Sequence, residues 1–276
     1  METFAEASAV RPAGPDVWGG AIQPGWDIAG NANGGYLMAI GTRALIASTG
    51  RADPVSVTAH FLAPGKPGPV SVRTAVVKEG KRFATATALL RATDRPVLSL
   101  VGSTGELDRT GDHQRPEDND RPEGYELVDS GPPDLPPPDE CFALVATDTF
   151  PPPFMGHVDL RLHPDDAGFA RGEASGRPLM RGWFRFAGGE PIDTVGLLVA
   201  VDAFPPTIFN ARQAPAWTPT LELTAHIRAR PDPGWLRCRF ATRFVTGGFL
   251  EEDGEIWDGS DRLVAQSRQL ALVPRH

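Results

Sequence analysis

The sequence predicts an α+β fold built from two tandem copies of one unit, a long antiparallel sheet wrapped around an apolar helix. Three observations carry this reading: an internal repeat, a ladder of strand and turn signals inside it, and one helical pattern ahead of the strands in each copy. Sliding the chain against itself by 166 residues superimposes Thr58-Ala59-His60 on Thr224-Ala225-His226. Ala63, Pro67, Gly68, Arg73, Ala75 and Phe83 likewise meet Ala229, Pro233, Gly234, Arg239, Ala241 and Phe249, giving nine identities in the 26 positions from 58 to 83. After one inserted residue, Asp94-Arg95 meets Asp261-Arg262 and Val97 meets Val264, the kind of slip a loop absorbs.

In the first copy a short strand pair is expected around Phe4 to Val10 and Val17 to Ile22. Asn33-Gly34-Gly35 then opens a helix in which Tyr36, Leu37, Ile40, Ala44 and Leu45 recur at helical spacing, with Gly50 as its stop. Four segments rich in Val, Thr and Phe follow, Val55 to Leu62, Val70 to Lys78, Phe83 to Ala92 and Pro96 to Gly102, punctuated by Pro-Gly, Glu-Gly-Lys and Thr-Asp-Arg turns. The second copy starts near Val158, and its helix is expected over Asp193 to Val201, with Asp193 as N-cap and Pro205-Pro206 as its end. The expected division is a first unit at 1–107, an acidic Pro-rich linker at 108–140 and a second unit at 141–276.

The formal net charge of −8 sits in that linker. Asp108 to Glu140 holds eleven acidic residues, three basic residues and seven prolines, and should be extended and largely solvated. The acidity argues against a nucleic-acid or anionic-membrane binder. No apolar run approaches the roughly 20 residues that cross a bilayer, and Glu2 and Glu6 stand where a secretory signal carries basic residues, so a soluble cytoplasmic protein is expected. Cys141 and Cys238 read as buried free thiols.

Several chemistries lack their residues. There is no Gly-x-Ser-x-Gly, no phosphate loop, no Gly-x-Gly-x-x-Gly and no His-Glu-x-x-His, so neither a cofactor nor a metal is expected. His60 and His226 fall in mid-strand and read as core or interface residues.

Specific segments carry a resemblance to a known family. Ala200-Val201-Asp202-Ala203-Phe204-Pro205-Pro206, Thr220-Leu221-Glu222 and Val264-Ala265-Gln266-Ser267-Arg268-Gln269, together with Asn33-Gly34-Gly35 and Phe61-Leu62-Ala63-Pro64-Gly65, resemble the acyl-CoA thioesterase II family of double-hotdog proteins. The chain departs from the family's pattern at Tyr36, where a Gln is frequent, and at Glu222-Leu223, where an Asp-His pair is frequent. The resemblance implies a double hotdog, hydrolysis of acyl-CoA without a covalent intermediate, and Asp202, Thr220 and Gln269 as the catalytic residues.

On their own these residues say less. Asp202 would face the negative end of its own helix, a locally disfavoured place for an acid. Thr220 could be an ordinary strand threonine and Gln269 a solvated amide, although the repeat partner of Gln269 is Gly102, so the copies differ there. The expected mechanism has Asp202 as general base or orienter of water, Thr220 and Gln269 holding that water, and N–H groups at Gly34 and Gly35, beside Tyr36, taking the oxyanion. Arg228, Arg230 and Arg237 are candidate CoA-phosphate contacts. Two rivals are a silent acyl-CoA-binding or scaffold hotdog and an enoyl-CoA hydratase, for which Asp108 and His113 have a coincidental spacing. Long sheet edges also point to a homo-oligomer.

Overall fold

A computed structural model describes residues 2–107, 127–147, 151–211 and 216–273. The chain opens with a helical turn, α1 (Phe4–Ala7), where a strand was expected. The cause is local: Thr3 Oγ1 accepts from the Glu6 N–H while the Thr3 N–H donates to Glu6 Oε2, a reciprocal capping box. Strands β1 (Arg11–Gly14) and β2 (Val17–Ile22) then form a hairpin, and β3 (Asp27–Ile28) and β4 (Asn31–Ala32) a small separate ribbon.

Helix α2 (Gly34–Thr49) has Asn33 as N-cap and ends at Gly50 in the left-handed region, φ 65°. It is apolar on most of its circumference, and packs against β5 (Asp53–Phe61), β6 (Gly68–Glu79), β7 (Ala84–Ala92) and β8 (Arg95–Gly105). Residues 127–140 carry no regular structure and are mostly exposed, but Pro133 is buried and the Pro136 carbonyl accepts from Trp183 Nε1 at 2.8 Å. This stretch is therefore pinned to the sheet rather than fully solvated; 108–126, with Asp108 and His113, lies outside the described residues.

The second half adds β9 (Phe142–Leu144), β10 (Val158–Leu162), β11 (Leu179–Phe186), the helical turn α3 (Leu197–Ala200), β12 (Thr220–Ile227), β13 (Leu236–Ala241), β14 (Val245–Thr246), β15 (Phe249–Trp257) and β16 (Leu263–Leu272). The expected helix from Asp193 to Val201 is thus a single α-helical turn flanked by tighter turns. Asp193 makes the expected cap bonds, its Oδ1 accepting from the Gly196 N–H and its carbonyl from the Leu197 N–H, but the regular turn begins only after Gly196, and Leu198 and Val199 bond back only three residues. Both cysteines are free and buried, whereas His60 and His226 are exposed on the sheet rather than in the core.

One sheet of fourteen strands contains both copies, in the order β1-β2-β6-β7-β8-β5-β12-β16-β15-β13-β11-β10-β9, with β14 attached to β15. The order reads nearly the same from either end, so the copies meet at β5 and β12 around an approximate two-fold axis. Thr58 lies opposite Thr224, its own repeat equivalent, with the two hydroxyl oxygens 2.8 Å apart. The 166-residue offset of the sequence thus marks the axis itself.

Candidate active site

The two halves cross where α2 begins and α3 ends. Asn33 donates through Nδ2 to the Asp202 carbonyl at 2.8 Å and to Asp202 Oδ2 at 2.9 Å, while its Oδ1 accepts from the Tyr36 N–H at 2.9 Å. The Gly35 N–H donates to the same Oδ2 at 2.8 Å. Asp202, disfavoured at the end of its own helical turn, is instead held at the positive N-terminus of the opposite copy's helix.

Both glycines are required by close approach. A Cβ on Gly35 would lie 2.2 Å from the Leu198 carbonyl oxygen, and one on Gly34 would lie 2.9 Å from Asp202 Oδ2 and 2.8 Å from Phe61 Cε1. Burial pushes the Asp202 carboxyl up to about 6; the Gly35 N–H opposes the rise and the charge of Glu252 adds to it.

Thr220 and Gln269 belong to a second polar cluster. Thr220 Oγ1 donates to Gln269 Oε1 at 2.9 Å, and Gln269 Nε2 donates to Glu252 Oε1 at 2.9 Å. A register shift between Thr220 and Glu222 makes the contact possible. By plain alternation Thr220 would share the face of Glu222, whose Oε1 accepts from Thr224 on the exposed side of the sheet. Glu252 is buried and also accepts the Thr207 N–H on Oε2 at 2.8 Å; its carboxyl is pushed up by burial.

The structure thus joins Thr220 to Gln269 directly and joins Asp202 to Asn33 and Gly35. Between Asp202 and the Thr220–Gln269 pair the connection is electrostatic, through Glu252. Sequence reasoning missed two residues. Asn33 was legible as a helix start, but its bond to a residue 169 positions away was not. Glu252 faces inward with Leu250 and Ile256, a break in an apolar alternation that the neighbouring acids Glu251, Asp253 and Glu255 conceal.

Two expectations are corrected. The Gly35 N–H is committed to Asp202, and the Gly34 N–H also bonds the Asp202 carboxylate, so neither is a donor available to an oxyanion. Tyr36 faces no substrate: it is fully buried, stacks on Trp26 with ring centroids 4.7 Å apart, donates its hydroxyl to the Ala7 carbonyl at 2.7 Å and accepts the Gln23 N–H. Burial pushes its phenol up to about 12. Arg230 pairs with buried Asp53 at 2.7 Å, and Arg237 with Asp261, so both serve the fold, while Arg228 is exposed. A cavity of about 890 Å³ lies at the other end of α2, lined by Arg43, Ile46, Asp53, Asp193 and Arg230. Its arginines are engaged, Arg43 with Asp193 at 3.1 Å and Arg230 with Asp53.

Replacing Asn33 with Ala removes a helix cap and two bonds to Asp202. We expect a destabilisation of about 2 kcal/mol and an Asp202 titration moved above its present value of about 6, both checked by thermal melts across pH.

Two fused helix-in-sheet units in one sheet, with an acid held at a helix N-terminus where they cross, define a double hotdog. The family profile described as acyl-CoA thioesterase N-terminal domain matches residues 22–105, and that described as acyl-CoA thioesterase C-terminal domain matches 129–273. The chain belongs to the acyl-CoA thioesterase family and is a thioester hydrolase. It is 29% identical over 298 residues to an uncharacterized protein of Mycobacterium tuberculosis, covering 98% of both chains. A structure assigned as a thioesterase II from Thermobifida fusca YX is 33% identical, with a TM-score of 0.86 and coverage of 100% of this chain and 98% of that one. A hot dog fold protein of unknown function from Alicyclobacillus acidocaldarius shares the fold at 21% identity and TM-score 0.83, covering 99% and 98%.

Proposed function

We propose that the chain hydrolyses acyl-CoA thioesters to free acid and CoA by direct attack of water, with Asp202 as general base and Thr220 and Gln269 positioning the water. The observation that supports this most strongly is the placement of Asp202: its Oδ2 is anchored by Asn33 and Gly35 at the start of the opposite copy's helix, with the Gly34 N–H a further donor to the carboxylate. With its carboxyl at about 6, Asp202 is mostly ionised at neutral pH yet basic enough to accept that proton.

In the proposed step one water hydrogen points to Asp202 and the other to Thr220 Oγ1, which accepts because its own hydrogen goes to Gln269. The water oxygen adds to the thioester carbon, the proton passes to Asp202, and the tetrahedral intermediate collapses with cleavage of the carbon–sulfur bond. Asp202 then returns the proton to the thiolate, a good leaving group with a thiol pKa of roughly 8.5.

We read 1–107 and 141–276 as the two hotdog units and 108–140 as their linker. We further propose a cytoplasmic homo-oligomer that covers the edge strands β1 and β9.

The test is thiol release from acyl-CoA esters spanning short to long chains, with rapid mixing to look for a burst. We expect steady turnover without a burst of thiol and without an acylated protein by mass spectrometry. An acyl adduct on the protein contradicts direct water attack, and acyl-CoA binding without turnover of any ester leaves a binding module in its place.

A further inference from the structure

Glu252 is buried in a sheet whose other copy shows that no charge is needed at its position. The cross-strand pair Glu252 and Gln269 in β15 and β16 corresponds, through the repeat, to Ala86 and Gly102 in β7 and β8. There the long helix α2 covers the sheet, and its Leu45 comes so close that a Cβ on Gly102 would lie 2.7 Å from Leu45 Cδ1. The second copy has one turn of helix instead, and there the buried Glu252 carboxylate meets the 207–210 turn through the Thr207 N–H. A buried carboxylate is costly unless its hydrogen bonds are made, and the apolar solution exists in the same molecule.

The bonds of Glu252 have a direction. Both its oxygens accept, Oε2 from the Thr207 N–H and Oε1 from Gln269 Nε2. The Gln269 amide is therefore fixed with its nitrogen toward Glu252 and its oxygen toward Thr220, and the Thr220 hydroxyl has to donate inward. The outward side of Thr220 Oγ1 is left as an acceptor.

We propose that Glu252 is a positioning residue that sets the polarity of the Thr220–Gln269 pair, so that the pair accepts a hydrogen from the attacking water and leaves the water's lone pair to the thioester. This rests on the hydrolytic reading above. With the amide reversed, Thr220 would receive its bond from Gln269 Nε2 and turn its own hydrogen toward the water, which then accepts where it should donate and is turned away from attack and made less nucleophilic. The charged and titratable groups acting on Glu252 are Glu251 on its own strand and Asp202 from the turn after α3; β12, β16 and the 207–210 turn present Thr220, Gln269 and Thr207, all neutral.

The experiment compares kcat, KM and the pH profile of wild type, Glu252→Gln and the double variant Glu252→Gln/Gln269→Glu, with Asp202→Asn as control. In Glu252→Gln the backbone N–H of Thr207 claims the only oxygen of the new amide, whose nitrogen then faces Gln269 and reverses it. We expect kcat to fall on the order of 10- to 100-fold with KM within about twofold, a part of the full effect of a positioned base. The acid limb should move to lower pH, because a negative charge that raises Asp202 is gone. The double variant restores the order of donors and acceptors and should recover activity toward wild type.

A Glu252→Gln protein with kcat within about twofold of wild type and an unmoved acid limb overturns the proposal while wild-type turnover keeps the hydrolytic reading intact. So does a loss of activity that follows a lowered melting temperature and is not recovered in the double variant. A wild type that hydrolyses no acyl-CoA, with Asp202→Asn indistinguishable from it, overturns both.

Discussion

Asp202→Asn produces a protein that no longer turns over acyl-CoA and is more stable than wild type at pH 7. Both halves of this expectation come from the same geometry. Asn is isosteric, and its single oxygen can take the place of Oδ2, accepting from Asn33 Nδ2 and the Gly35 N–H. The fold is kept, but the second atom becomes an NH₂ that cannot accept a proton, so kcat should fall by about 10³-fold, within the range of a lost general base.

The stability change follows from the raised carboxyl. Folding moves Asp202 from 3.8 to about 6, so the folded protein binds its proton more tightly than the unfolded chain and loses stability as pH rises through that window. Above it the ionised carboxylate is a standing cost, on the order of 3 kcal/mol, which a neutral amide removes. The melting temperature of Asp202→Asn should therefore exceed that of wild type at pH 7 to 8, and the difference should vanish at acid pH, where Asp202 is protonated in both states. Equal melting curves at all pH values would contradict this account of the shift.

Gly35→Ala should damage fold and activity together. The added Cβ would lie 2.2 Å from the Leu198 carbonyl oxygen and 3.0 Å from Val199 Cα, contacts with backbone that no rotamer can relieve. The start of α2 must move away from α3, which overpacks a buried crossing at about 3 kcal/mol or more and lengthens the bond from the Gly35 N–H to Asp202. Thermal melts and thiol release should fall together. Gly50→Ala makes a useful contrast, because nothing lies within 4 Å of an added Cβ there. Its cost is limited to the left-handed backbone at φ 65°, about 1 kcal/mol, and activity should survive.

The strands and the first helix were legible because they depend on neighbours in sequence. Asn33 and Gly50 bracket α2 as its caps, and the repeat showed two copies of one set of strands, while the axis between Thr58 and Thr224 emerged only from the strand pairing. The amino-terminal turn was legible too, in Thr3 and Glu6, but the apolar residues around them read as a strand. The second helix was not legible at its true length. Its sequence, Thr194 to Val201, is apolar enough for a helix, whereas the Asp193 side chain closes a turn on Gly196 and the start of α2 crosses at Leu198.

The site was legible only as separate residues. Asp202, Thr220 and Gln269 could be picked out by resemblance, but what holds each of them comes from elsewhere: Asn33 and Gly35 from the other copy, a register shift beneath Thr220, and Glu252 behind Gln269. Those partners are set by the register of the sheet and by the crossing of α2 and α3, and neither is written in a local pattern. Tyr36 shows the converse: its position beside Gly35 suggested a substrate contact, while its hydroxyl closes the core against Ala7 and Gln23.

The central claim is that an acid raised by burial and anchored through one oxygen activates water against a thioester. It is tested most directly by initial rates of thiol release from an acyl-CoA that the wild type turns over, measured from pH 5 to pH 9 beside Asp202→Asn. The account predicts a wild-type rate that rises with pH along a single limb centred at about 6 and a variant without measurable turnover at any pH. A variant that retains turnover within tenfold of wild type, following the same limb, would contradict it.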